Sequence, residues 1–271
     1  MLRSDALSTE GAPLGIDKLV PDAAAAVADI RSGASIGVGG FGACGLPIVL
    51  INALLNSGTD DLEIVSNNCG TDDYGLGALL VAGRLRRVTA SYIGDNPALT
   101  TKWLAGEIEL ELVPQGTLAE RLRAGGSGIA AFYTRAGVAT PIADGGLPWR
   151  YAPDGTVAVA SPPRRVELFD GVPHVLEHAT RTDVALVRAA RGDRTGNLVF
   201  HATARNFNPL VAMAGRLTIA EVEEVVEELP PDEVHLPGVF VQRVVVVPEG
   251  TPKRIDRLTV QGQPEEWGIY R

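Results

Sequence analysis

The sequence predicts an α/β fold: an open, mostly parallel sheet with flanking helices and an irregular, β-rich C-terminal part. Three observations lead there. From Asp22 to Ala124, short apolar strands alternate with short stretches of helical spacing. Strands separated by helices pair in parallel through crossover connections. After Thr156 the apolar runs read as strands, with a single helical stretch among them.

The elements follow in order. Asp22, after Pro21, is placed to cap a helix over Ala23 to Arg31, and Gly33 stands where a C-terminal cap is expected. ASIGVG then reads as a buried strand, followed by the loop GFGACGL. Pro47 suits a first helical position, and Ile48 to Asn56 carries apolar residues at helical spacing up to Gly58. LEIVS, Leu62 to Ser66, is the next strand. It runs into the polar, glycine-rich SNNCGTDDYGLG and then ALLVAG. Arg87 to Ile93 is a strand, and Asn96 to Ala105 is a helix stopped by Gly106. Glu107 to Val113 alternates acid and apolar residues, the period of a half-exposed strand. Gly116 to Ala124 is a short helix ended by Gly125-Gly126. Thr156 to Ala160, HVLEH, DVALVRA and RLTIAEVEEVV read as strands, and Ala204 to Ala214 as a helix.

No composition shift marks a linker, and no repeat occurs at solenoid spacing. One domain over 16–262 is expected, with flexible tails at 1–15 and 263–271. Lys and Arg number 24 against 33 Asp and Glu, a formal charge of −9. That balance argues against a nucleic-acid surface and against a polybasic membrane face. The longest apolar runs, such as Val244 to Val247, fall far short of the roughly 18 residues of a membrane span. The two cysteines, Cys44 and Cys69, form no CxxC pair and are too few for a disulfide framework. A reducing cytoplasm is the simplest compartment.

Several motifs invite chemistry. Gly37-Val38-Gly39-Gly40-Phe41-Gly42 matches GxGxxG after a strand and before a helix. In a dinucleotide site the helix begins within that motif, so that its N-terminus faces the pyrophosphate. Here the loop runs on to Gly45-Leu46-Pro47, and the helix starts several residues late. The glycines still allow close backbone approach, and free N–H groups in such a loop can hold an anion or thioester. His174-Val175-Leu176-Glu177-His178 matches the HxxEH zinc pattern. On a strand the two His would lie about 13 Å apart, too far for one metal, and no metal is expected. Ser66-Asn67-Asn68-Cys69-Gly70 ends a strand and reads equally as a ligand-binding sheet edge or as a polar turn, and Pro114-Gln115 follows a strand either to present Gln115 at that edge or as ordinary helix capping. Cys69 reads as a small buried thiol. Glu120 and Arg121 read as a solvated helix face, and the acidic run Glu221 to Glu228 as a solvent-facing edge strand. Arg205-Asn206-Phe207-Asn208 reads as packing or a subunit contact rather than direct chemistry.

Taken together, GGFGACGLP, SNNCGTDDYGLG, the long block from Ser91 to Thr134 and ARNFN resemble the A subunits of family I CoA-transferases, in particular those acting on 3-oxo acids. The resemblance runs from about Ile16 to Val260. It implies the open α/β sheet of that family and a ping-pong transfer of CoA from succinyl-CoA to a 3-oxo acid, acetoacetate favoured, through a glutamyl-CoA thioester. It places the nucleophilic Glu on a B subunit, so this chain is expected to be inactive alone, in a hetero-oligomer of two A and two B chains. It implies a CoA-binding loop of Gly39, Gly40, Phe41, Gly42, Ala43, Cys44 and Gly45. Gln115, with Asn67 and Asn68, would support the reaction. No cofactor beyond CoA as substrate is implied. Alternatives are a 3-oxoadipate CoA-transferase and a non-catalytic CoA-binding or scaffold protein.

Overall fold

A computed structural model describes residues 16–71, 73–94 and 96–254. The expected tails at 1–15 and 263–271, and the expected domain end at 262, lie outside the described residues.

The first half is built from strand–helix units. Asp22 caps α1 (Ala23–Val27) by accepting the Ala25 N–H at 2.7 Å. This helix is shorter than the sequence suggests. Next come β1 (Ser35–Val38), α2 (Ile48–Ser57), β2 (Leu62–Ser66), α3 (Leu76–Val81), β3 (Leu85–Ala90), α4 (Pro97–Leu104), β4 (Glu109–Leu112) and α5 (Gln115–Gly126). An excursion follows, with β5 (Ala131–Thr134), α6 (Pro141–Asp144), β6 (Pro148–Tyr151), β7 (Val157–Ala160), β8 (Val166–Phe169) and β9 (Val172–His178). The chain then returns through β10 (Thr182–Asp193), β11 (Leu198–Val199), α7 (Asn208–Ala214), β12 (Gly215–Val226) and β13 (Arg243–Val246).

The main sheet has the order β13-β12-β10-β1-β2-β3-β4, with β11 attached to β10. Its seven ordered strands are all parallel, with Ile36 level with Ile64 on one side and Val184 on the other. The excursion forms two small antiparallel sheets, β5-β9-β8 and β6-β7. Alternate strand residues serve the two faces. Ile36, Ile64 and Leu186 pack under α1 to α4, while Val65, Ala185 and Val187 pack against α5 and α7. A sheet covered on both faces needs apolar residues at nearly every position, which is why its central strands, such as β1 and the middle of β10, read as near-continuous apolar runs.

Four local expectations change. Helix α5 continues through Gly125 and Gly126 because both are packing positions. A Cβ on Gly125 would stand 2.0 Å from the Thr180 carbonyl oxygen, and one on Gly126 2.5 Å from Met213 Cβ. The helix read over Ala204 to Ala214 breaks into a 3-10 turn, Ala202–Arg205, and α7. Asn206 leaves the helical region there and sends its Nδ2 to the Thr203 carbonyl. Strand β12 is an interior strand, not an edge: β10 and β13 flank it, and Glu221 is fully buried. Arg121 is buried rather than solvated.

Candidate active site

Because β1 to β4 are parallel, the loops that follow them emerge along one edge of the sheet. The glycine loop leaves β1 at Gly39, whose N–H still bonds the Leu186 carbonyl at 3.0 Å. Phe41 and Cys44 then close a tight turn by exchanging backbone hydrogen bonds at 3.0 Å. Gly40, Gly42 and Gly45 have φ of +116°, +58° and +72°, a region L side chains seldom enter.

This loop is held from the far end of the sequence. Asn208, fully buried, donates from Nδ2 to the carbonyls of Gly45 (3.1 Å) and Ala204 (2.8 Å), and its Oδ1 accepts the Arg188 N–H at 3.0 Å. Asn206 Nδ2 donates to the Cys44 carbonyl at 3.1 Å. A Cβ at Gly39 would lie 1.9 Å from Asn208 Oδ1, so the absence of a side chain at 39 is what admits the amide. The ARNFN segment is thus a brace for the loop.

On the other side of the loop stands a cluster of neutral amides. Asn68 Oδ1 accepts the Gly42 N–H at 3.0 Å. Asn67, buried at the end of β2, receives Gln115 Nε2 (2.7 Å) and Ser91 Oγ (2.8 Å) on its Oδ1. Gln115 is the first residue of α5, following β4 through Pro114, and its side chain is solvent-facing. Three strand ends therefore bring Asn67, Asn68, Ser91 and Gln115 into one bonded group against Gly42. The Ser91 hydroxyl was not singled out by sequence, although it too directly follows a strand. Every side chain in the group is neutral. None is a carboxylate or an activated thiol: burial pushes the neighbouring Cys69 up to about 12, so it stays protonated at neutral pH. The arrangement can orient and hydrogen-bond a reacting group, but it offers no nucleophile of its own.

The HxxEH segment lies elsewhere, on β9. Glu177 turns inward to Arg121 (2.6 Å) and Arg164, while Arg121 also binds Glu111 at 2.9 Å. Arg87 joins Glu111 to Glu109 at 2.8 and 2.6 Å. The network ties the small sheet to the edge of the main sheet. No set of three His, Cys, Asp or Glu suited to a metal occurs among the described residues. Burial alone would raise the Glu111 carboxyl, but Arg121 and Arg87 outweigh it and hold it below the ordinary range. A second charged group, on β10 and β12, also escaped the sequence. Arg188 bridges Glu221 and Glu223 at 3.1 Å each, and Glu221 accepts the Leu50 N–H at the start of α2 at 2.9 Å.

Comparison with known proteins agrees with this geometry. The family model described as Coenzyme A transferase matches residues 20–247. The chain is 60% identical over 248 residues to the A-type chain of a probable succinyl-CoA:3-ketoacid coenzyme A transferase of Mycobacterium tuberculosis, covering 91% of this chain and 100% of that one. It is 49% identical over 245 residues to the human mitochondrial succinyl-CoA:3-ketoacid coenzyme A transferase 2, covering 90% of this chain. It spans only 47% of the human protein, about half of its length. A crystal structure of an acyl-CoA transferase from E. coli O157:H7, in a thioester complex with CoA, superposes with a TM-score of 0.72 at 23% identity. That match covers 92% of this chain and 49% of the other, and it speaks to the fold.

Proposed function

The chain belongs to the coenzyme A transferase family, and from that premise we propose that it is the A-type half of a two-chain enzyme moving CoA from succinyl-CoA to a 3-oxo acid, acetoacetate foremost. The observation that carries the reading is the nucleophile-free amide cluster of Asn67, Asn68 and Gln115 against the glycine loop. Such a site is complete only when another chain brings a carboxylate to it.

The chemistry then runs as follows. A glutamate carried by the B chain attacks the thioester carbonyl, the C–S bond breaks, and CoA leaves as thiolate. The thiolate attacks the glutamyl carbonyl of the mixed anhydride, releasing succinate and leaving glutamyl-CoA. The carboxylate of the 3-oxo acid reverses both steps and departs as its CoA thioester. Each step places negative charge on a carbonyl oxygen, and preformed neutral donors stabilise such charge without pairing off the attacking carboxylate beforehand. Gln115 supplies that donor from its amide, held in place by Asn67. The backbone of Gly39, Gly40, Phe41, Gly42, Ala43, Cys44 and Gly45 lets CoA approach closely. Covalent catalysis divides one difficult transfer into easier ones, and the remote parts of CoA contribute binding that drives the reacting end.

The test is co-expression with a B-type chain and assay of transfer from succinyl-CoA to acetoacetate and to 3-oxoadipate. Activity is expected only from the pair, and Gln115→Ala should lower kcat about a hundredfold while leaving the fold intact. Transfer by this chain alone would overturn the two-chain reading, and an unchanged rate would remove Gln115 from the site.

A further inference from the structure

The excursion between α5 and β10 contributes no residue to the amide cluster or the glycine loop, yet it carries an open edge. Its last hairpin is set by Asp170 and Gly171. Their φ of +50° and +74° make the two-residue turn that places Phe169 opposite Val172. β8 is thereby an outer strand of the sheet β5-β9-β8.

The backbone of β8 divides by residue. The Leu176 N–H bonds the Arg165 carbonyl at 2.8 Å. In an antiparallel pair the bonded residues alternate, so Arg165, Glu167 and Phe169 turn their polar groups to β9, while those of Val166 and Leu168 point the other way. Arg164, which also points that way, gives its N–H to the Ala143 carbonyl at 2.8 Å. The cover ends there, and from Val166 to Leu168 the edge meets no strand among the described residues.

The side chains leave this edge unguarded. Val166 and Leu168 share a face with buried Val175, but they are 46% and 68% exposed. Phe169 stands on the other face, its ring centre 5.0 Å from Tyr133 and 5.3 Å from His174, and is still 47% exposed. Soluble proteins protect such edges with Lys, Pro or a bulge. The run Arg165 to Phe169 has none of these. Its charges, Arg165 and Glu167, pair with each other at 2.6 Å.

The same run is complementary to itself. Laid antiparallel on a second copy about a two-fold axis at Glu167, Val166 of each copy lies opposite Leu168 of the other. Their free N–H and C=O groups then complete a ladder, and the apolar row on one face becomes continuous. On the opposite face Arg165 meets the ring of Phe169, and the Arg165 and Glu167 of both copies form a neutral quartet. The pairing uses only residues beyond the Ala143 contact. We propose that β8 is the docking edge for a second copy of this chain, joining the three-stranded sheets of two copies into one. The pairing is independent of CoA transfer, and the failure of either leaves the other standing.

The test is sedimentation of the full chain, alone and co-expressed with a B-type chain, together with cysteine cross-linking in a Cys44→Ser background. Glu167 sits on the axis at a non-hydrogen-bonded position, where opposing Cα atoms lie about 4.5 Å apart, within disulfide reach. Glu167→Cys should therefore link two copies through residue 167 under mild oxidation, as read by peptide mapping. Arg165→Cys, whose counterpart lies about 14 Å away, should not. Leu168→Lys sets a charge into the apolar row twice by symmetry and should raise the dimer Kd about tenfold or more. Its urea unfolding should match the parent chain, because the side chain is exposed. A chain that stays monomeric at high micromolar concentration overturns the proposal, as does a dimer indifferent to Leu168→Lys. A dimer in which Glu167→Cys links no more readily than Arg165→Cys overturns it too. Linkage of Glu167→Cys to a B-type chain gives the edge to that chain and overturns pairing between copies.

Discussion

At the scale of single residues, the two cysteines show how position sets reactivity. Cys69 is 1% exposed, and burial pushes its thiol up to about 12. Cys44 lies half-buried on the glycine loop, with its Sγ 3.6 Å from Thr203 Oγ1. A thiolate-seeking reagent should therefore modify one thiol per chain in the native protein and two after denaturation, with Cys44 the site found by peptide mapping. Native modification of Cys69 would show that the β2 end opens in solution. Residues of the candidate site were legible in the sequence where local position decides placement: Asn67, Asn68 and Gln115 follow strands, and so they reach the edge. Arg121 and Glu177 were not legible. Arg121 read as solvated, and it is buried because Glu111 and Glu177, 10 and 56 residues away, both supply counter-charge.

At the scale of elements, α5 sets two physical effects against each other. Helix propensity alone says that Gly125→Ala should stabilise by up to about 1 kcal/mol. The packing says otherwise, since the added Cβ would lie 2.0 Å from a backbone oxygen of Thr180 that cannot swing aside. Overpacking of this kind costs about 1–3 kcal/mol or more, so the expected outcome is net destabilisation in urea unfolding. Gly116, in the same helix, has nothing within 4 Å of an added Cβ, and Gly116→Ala should be stabilising. Equal signs for the two substitutions would contradict the packing of α5 against the Thr180 segment and α7. The same helix shows why its end was misread: glycine marks a helix stop when it is exposed, but here it marks a close approach, which periodicity does not register. Most strands of the main sheet were legible because both faces demand apolar residues. β12 was legible as a strand and misplaced as an edge, because its acids read as solvent-facing while Glu221 is in fact neutralised inside by Arg188.

At the scale of the whole molecule, buried charge shapes the dependence of stability on pH. Burial pushes the Glu221 carboxyl up to about 7, although Leu50 N–H and Arg188 favour its ionised form. A carboxyl raised in the folded chain holds its proton more tightly there. Its contribution to stability is full below about 4.5 and is lost as pH rises through about 7, a difference of about 3 kcal/mol. Glu111 acts with the opposite sign. Its folded value lies below 4.5, so its contribution is present above that and is lost as pH falls. Urea unfolding across pH should therefore show greatest stability near pH 5, with a fall on each side. Glu221→Gln should flatten the neutral limb and keep the acid one. A neutral limb unchanged in that variant would assign the titration to another group. The parallel order of β1 to β4 followed from the alternation of strands and helices. The return of β10 to the free side of β1 did not, because that pairing spans the whole excursion and no local pattern encodes it.

The brace on the glycine loop has a consequence in time. The loop is complete in the sequence by Gly45, yet the amide that fixes it, Asn208, is synthesised 163 residues later. While the ribosome is still making the excursion, β1 can pair with β2 and Asn68 can reach Gly42, but β10 and the Asn208 anchor are still missing. Folding of a growing chain proceeds from the N-terminus, and contacts of such separation form late because their ends must first be brought together. The earliest motif to leave the ribosome is thus among the last to take its working shape, and a nascent or truncated chain would carry the signature of the family without its grip.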